Sequence, residues 1–211
     1  MTGDNMDLDR AYALETPEDS KALYRDWADT YDSSFAEHMD YIYPAAVAAV
    51  FAARAGRDVG PVLDVGAGTG LVGEALARLG RWDVDGLDIS EQMLAVAMGK
   101  GHYRAVIPAD LTRSLDIASG TYGAVISAGT FTHGHVGPEA LDELLRIAKP
   151  TALFVLGINE EVYQANGFEQ KFAALAPVIT GFEILKKRIY GEDAPEEHRN
   201  DQTCIAVFRK I

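Results

Sequence analysis

Residues 60–80 read GPVLDVGAGTGLVGEALARLG, and no other stretch limits the fold so sharply. A Gly-Pro breaker precedes a short apolar run, which reads as a buried strand. Glycines follow, and Leu71–Leu79 reads as a helix ended by Gly80. The pattern then continues. "WDVDGLDIS" is a second strand, with Ser90 capping a helix that carries Met93, Leu94 and Ala97 on one side. "YRAVIPAD" is a third strand and "YGAVISAG" a fourth. Gly137-Pro138-Glu139 opens a helix with Leu141, Leu144, Leu145 and Ala148 inward, which Pro150 terminates before the fifth strand, "TALFVLG". Strands alternating with helices require crossovers, a parallel sheet and helices on both faces. After a helical stretch near Phe168–Leu175 the character changes. "FEILKKRIY" and "QTCIAVFRK" are joined only by a loop, so they form an antiparallel pair.

The chain has 211 residues, 48% of them apolar, which suits one domain with a single core and argues against disorder. The longest clean apolar run, Ala45–Ala53, is far too short to span a membrane, and the acidic, polar start is no signal peptide. One cysteine, Cys204, excludes an internal disulfide, no Cys/His cluster suggests a metal, and a reducing cytoplasm fits. A net charge of −13 repels phosphate backbones and anionic lipid, which disfavours nucleic acid and membrane partners. The basic run Lys186-Lys187-Arg188 reads as a solvated strand face.

Residues 1–16 show no periodicity and are expected to be flexible. Thr16-Pro17-Glu18-Asp19 resembles a helix start, and Leu23, Trp27 and Tyr31 recur on one face of the helix that follows. A second helix begins at Pro44 and stops near Gly56. Residues 17–56 are thus expected to form an N-terminal helical lid on a core spanning 61–211, within one domain.

The glycines allow two registers. Gly66, Gly68 and Gly70 form GxGxG; Gly68, Gly70 and Gly73 form GxGxxG, the spacing of dinucleotide sites. In a dinucleotide fold the first glycine directly follows the apolar strand, yet a start at Gly68 places Asp64, Gly66 and Ala67 ahead of the turn. A start at Gly66 puts Asp64 at the strand's carboxyl end, where open α/β sheets bind ligands. A carboxylate there repels a pyrophosphate and favours the ammonium and sulfonium of S-adenosylmethionine. Gly73 then serves close helix packing. Asp88 and Asp110 end the second and third strands, placed to accept from ribose hydroxyls and from the adenine amino group. Each is equally an ordinary strand-end aspartate when taken alone.

These segments resemble the class I S-adenosylmethionine-dependent methyltransferases. The resemblance rests on "VLDVGAGTG", "GLDIS", "ADL", "YGAVISAGTFTH" and the final hairpin. It is nearest to the small-molecule branch, particularly methyltransferase-like proteins of the Williams–Beuren region type, through Trp27-Ala28-Asp29-Thr30-Tyr31-Asp32. It implies a Rossmann-like sheet of order 3-2-1-4-5-7-6 with only the last strand antiparallel. It also implies that Gly66, Ala67, Gly68, Thr69 and Gly70 wrap the methionine part and that Asp64 acts on its amino end. Asp88 would hold the ribose, Ile89 and Met93 would pack around adenosine, Asp110 and Leu111 would contact adenine, and Ser127 and Ala128 would approach the methionine end. Tyr31, with Tyr24 and Trp27, would act as a lid.

His133 and His135 follow the fourth strand and are candidate general bases, as is Tyr31; the histidines are also readable as loop residues titrating in solvent. Asn159, Tyr163 and Asn166 offer polar contacts to a small-molecule acceptor or serve as caps. The expected activity is methyl transfer to such an acceptor, leaving S-adenosylhomocysteine. A NAD(P)-dependent oxidoreductase and a non-catalytic cofactor-binding regulatory module are the alternatives.

Overall fold

The computed structural model describes residues 27–28, 30–56, 59–132 and 136–211. Seven strands form one sheet: β1 (Val62–Val65), β2 (Val84–Asp88), β3 (Ala105–Pro108), β4 (Tyr122–Phe131), β5 (Ala148–Asn159), β6 (Ile179–Arg188) and β7 (Gln202–Lys210). Their order is β3-β2-β1-β4-β5-β7-β6. The pairs among β1 to β5 are parallel, and β7 runs antiparallel to β5 and β6, as expected of two strands joined without a helix. Six α-helices are described: α1 (Tyr43–Arg54), α2 (Leu71–Leu79), α3 (Glu91–Gly99), α4 (Ala140–Ile147), α5 (Glu160–Ala165) and α6 (Phe168–Leu175).

Side-chain alternation along the strands builds two cores. Leu63, Val65 and Leu87 pack with Leu141 and Leu144 of α4 and Phe168 and Phe172 of α6. Val62 and Val84 point the other way, to Val47 and Phe51 of α1 and Val72 and Leu76 of α2. Burial of both faces explains why β1 reads as a nearly continuous apolar run.

Three boundaries differ from the sequence reading. Helix α4 stops at Ile147, and Ala148 is already extended (φ −85°, ψ 144°), buried as the first residue of β5. Pro150 restricts the residue before it to extended backbone, so the helix ends ahead of Lys149. Strand β4 runs on to Phe131 through an irregularity between Ser127 and Phe131, where Gly129 has φ 92°. Helix α1, expected within the lid, is a layer of the core instead: Val47, Ala48 and Phe51 are fully buried against the sheet. An apolar stripe that wide gains more under a sheet than over a cleft. Residues 17–26 lie outside the described residues. Among the described residues, no helix is long and apolar enough to cross a membrane. Lys186, Lys187 and Arg188 lie exposed on β6, with Lys186 paired to Glu160 and Arg188 to Glu192.

Candidate active site

Strand β1 ends at Val65, and the chain turns at once. The Gly66 and Ala67 amides both donate to the Leu87 carbonyl, at 2.7 and 3.0 Å, and the Gly70 amide donates to the Ala67 carbonyl. Gly66 has φ 69°, which favours glycine, and a Cβ there would come within 1.8 Å of Thr130 Oγ1. The turn is held from β4 as well. Ser127 Oγ and Thr130 Oγ1 each donate to the Val65 carbonyl, at 2.8 and 2.7 Å. The irregular end of β4 therefore brings two hydroxyls to the carbonyl from which the turn departs.

A cavity open to solvent lies at the carboxyl ends of β1, β2 and β4. Gly66, Ala67, Gly68 and Thr69 line its floor. Asp88, Ile89 and Met93 form one wall, Asp110 and Leu111 another. Ala128 and Tyr31 complete the lining named by the sequence. Eleven of the residues that the sequence assigned to one ligand thus meet at one cavity. Asp88 faces it with each carboxylate oxygen already engaged once: Oδ2 accepts the Gly68 amide and Oδ1 the Ser90 amide, both at 2.9 Å. Burial pushes its pKa up, while the bonds from Ser90 and Gly68 pull the other way. Asp110 Oδ1 accepts the Thr112 amide and hydroxyl, and its Oδ2 pairs with Arg113.

Four expected site residues do not line the cavity. Trp27 packs on Met93 and Val96, in a small cluster against α3. Gly70 backs onto Tyr103 and Ala97. Ser127 is fully buried behind the turn. Asp64 is fully buried and accepts the Tyr103 hydroxyl at 2.6 Å; its other oxygen, Oδ1, has no hydrogen-bond partner. Burial pushes the Asp64 pKa up to about 7, the Tyr103 bond lowers it and the Asp88 charge adds to the rise. The same Tyr103 oxygen accepts the Gly73 amide at 3.1 Å, and a Cβ on Gly73 would meet the ring at 2.6 Å. Gly73 is therefore a packing glycine. Tyr24, His133 and His135 lie outside the described residues.

Other cavity residues carried no sequence signal. Tyr41 and Pro44 line it from the start of α1 and the residues just before, and Gly129, Thr130 and Val136 come from the end of β4 and the loop beyond. Tyr41 sits in an aromatic cluster with Phe35, Tyr43 and Tyr190, which only the fold assembles. Asn159 caps α5 by accepting the Glu161 and Val162 amides, Asn166 ends that helix, and Tyr163 stacks on Phe168 and Phe172.

Sheet order, glycine turn and cavity define the Rossmann-like class I methyltransferase fold. Residues 63–156 match the family model described as a methyltransferase domain. It is 33% identical over 136 residues to human methyltransferase-like protein 27, covering 64% of this chain and 55% of that protein. The chain thus matches little more than half of that relative's length. A SAM-dependent methyltransferase structure from Methanococcus maripaludis superposes with a TM-score of 0.60 at 18% identity, over 89% of this chain and 92% of that one. A TehB-like SAM-dependent methyltransferase from Corynebacterium glutamicum gives 0.62 at 21%, over 90% and 99%. These two likenesses show the fold.

Domain and fold imply S-adenosylmethionine as the cofactor. The residues present fit it. A glycine turn with open space over Gly68 leaves room for close approach, half-buried Asp88 retains acceptor capacity toward hydroxyls, and Ile89, Met93 and Leu111 offer apolar faces to a base.

Proposed function

We propose that this chain is a methyltransferase that binds S-adenosylmethionine in the cavity beside Asp88 and acts on a small-molecule acceptor. The observation that carries the reading is the convergence of the glycine turn, Asp88 and Asp110 on one cavity. The cofactor supplies an activated methyl group for in-line displacement. Asp88, fixed by two backbone amides, is suited to accept from a ribose diol. Asp110 with Leu111 offers an acceptor and an apolar edge to an adenine. Tyr31, Tyr41 and Pro44 restrict access from above and position what enters. A concave site walled largely by apolar side chains and backbone supports a small acceptor over a macromolecular one. The acidic balance of the chain supports the same choice.

Isothermal titration with S-adenosylmethionine and S-adenosylhomocysteine tests this, with NAD(H) and NADP(H) as comparison ligands. The expected result is saturable binding of the methyl donor and its product and none of the dinucleotides. Binding of NAD(H) alone would overturn it. A metabolite screen with labelled methyl donor then identifies the acceptor, and tight cofactor binding without transfer to any metabolite would favour the non-catalytic module.

A further inference from the structure

We propose that Asp32 is a positioning residue that latches the aromatic cap onto the glycine turn. The cap is Tyr31–Ala36, a π-helical turn of six residues preceded by Thr30, whose side chain makes no capping bond. A helical segment this short does not hold itself together in water, and π-turns concentrate at functional positions. Tyr31 nevertheless lines the cavity, so something outside the turn fixes it.

Asp32 supplies that attachment. Its Oδ1 accepts the Thr69 hydroxyl at 2.5 Å, and its Oδ2 pairs with Lys100 Nζ. Thr69 sits between Gly68 and Gly70 and is 2% exposed, so its hydroxyl carries the position of the turn's backbone. Lys100 caps the end of α3 and also lies 3.7 Å from Glu74 of α2. One carboxylate thus ties the cap to the turn and, through Lys100, to the end of α3 and to Glu74 of α2. The charge pair is partly shielded, at 35% exposure for Asp32 and 21% for Lys100, which makes it stronger than an open surface pair. Trp27 adds a second, apolar attachment on Met93 and Val96. Because the turn that cradles the cofactor is the turn that Asp32 holds, the two events are linked: cofactor binding tightens the cap, and the cap raises cofactor affinity by the same factor.

The coupling to cofactor rests on the methyl-transfer reading, whereas the latch itself does not. Amide hydrogen exchange on the ligand-free protein therefore comes first. Asp32→Ala should speed exchange across Tyr31–Tyr41 by about tenfold or more while leaving α1 unchanged. Unchanged exchange there overturns the latch whether or not any ligand binds. In titrations with S-adenosylhomocysteine, Asp32→Ala should weaken binding about tenfold. Asp32→Asn, which keeps an oxygen for Thr69 but loses the charge facing Lys100, should fall between. Asp32→Ala and Thr69→Val together should cost less than the sum of the two alone; strict additivity counts against the contact. If Asp32→Ala does not fold, Thr69→Val and Lys100→Met remove the partners from the other side, and loosened exchange in either supports the latch. Failure of the unaltered protein to bind S-adenosylhomocysteine defeats the methyl-transfer reading, and the exchange measurement alone then decides the latch.

Discussion

The carboxyl ends of β1 and β2 each present an aspartate, and the two do opposite things. In the sheet Asp64 lies opposite Gly86, two residues short of Asp88, and Asp88 lies opposite Pro108, two residues short of Asp110. The acids therefore climb by two residues per strand, about 6.6 Å each at the rise of a parallel strand. Asp64 is the deepest. It is sealed behind the glycine turn with Tyr103 as its hydrogen-bond donor. Asp88 clears the sheet, takes two amides from the turns beyond it and faces the cavity. One strand anchors the turn from behind and the next presents it to a ligand. Similar residues at similar places in sequence are separated by depth.

The largest expected effect breaks the turn itself. Gly66→Ala places a methyl group against Thr130 in left-handed backbone and should cost about 3 kcal/mol or more in urea unfolding. Gly68→Ala meets nothing within 4 Å and should cost only the backbone term, about 1–2 kcal/mol. If Gly68→Ala proves the worse for stability, the turn is not pinned from β4 as described. Next comes the separation of the two acids. Asp88→Ala should weaken S-adenosylhomocysteine binding roughly a hundredfold, since it strips a carboxylate from the cavity and a partner from two amides. Asp64→Asn should change that affinity by no more than about threefold. Comparable losses from both would place Asp64 in the site after all.

Much of this was legible. The alternation of strands and helices gave the sheet, and the missing helix between the last two strands gave its antiparallel member. The start at Gly66 rather than Gly68 followed from where the apolar run ends, and β1 does end at Val65. The charge on Asp64 argues for the same start, yet its side chain turns to Tyr103. Position along a strand is visible in sequence, but depth depends on register between strands, which no local pattern records. Tyr103 was hidden for the same reason: it precedes β3 by two residues and reaches back across β2 to β1 and α2. A lid over residues 17–56 takes in too much because α1 and the cap are both apolar and adjacent, and only packing distinguishes a core layer from a cover. Asp32, by contrast, sat inside a stretch already singled out, and its partners Thr69 and Lys100 lie far along the chain.

Smaller effects probe the sealed side of the comparison. Tyr103→Phe removes the donor to Asp64 and the acceptor of the Gly73 amide, and should destabilise the fold by about 1–3 kcal/mol while leaving the ring packed on the glycines. It should also raise the Asp64 pKa further, because the lost hydrogen bond was the influence lowering it.

The smallest change at acidic pH, and the most diagnostic across pH, is Asp64→Asn. The folded carboxyl titrates near 7, above its unfolded value of 3.8, so the folded state binds the extra proton between those limits. Stability from this group is complete below the unfolded pKa and is lost as pH rises through about 7. The groups facing it act in opposite directions: the Asp88 charge repels a second carboxylate and adds to the rise, whereas the Tyr103 hydroxyl, itself pushed well above its ordinary pKa by burial, stays a donor throughout and holds the rise back. Asparagine carries no such titration and resembles the protonated acid in shape. Unfolding free energy measured from pH 4 to pH 8 should therefore decline in the unaltered protein, by an amount on the order of a few kcal/mol, and decline less in Asp64→Asn. Equal slopes would mean that Asp64 stays ionised throughout, stabilised by groups other than Tyr103, and the anchoring role assigned to the end of β1 would pass to a charge rather than to a buried neutral acid.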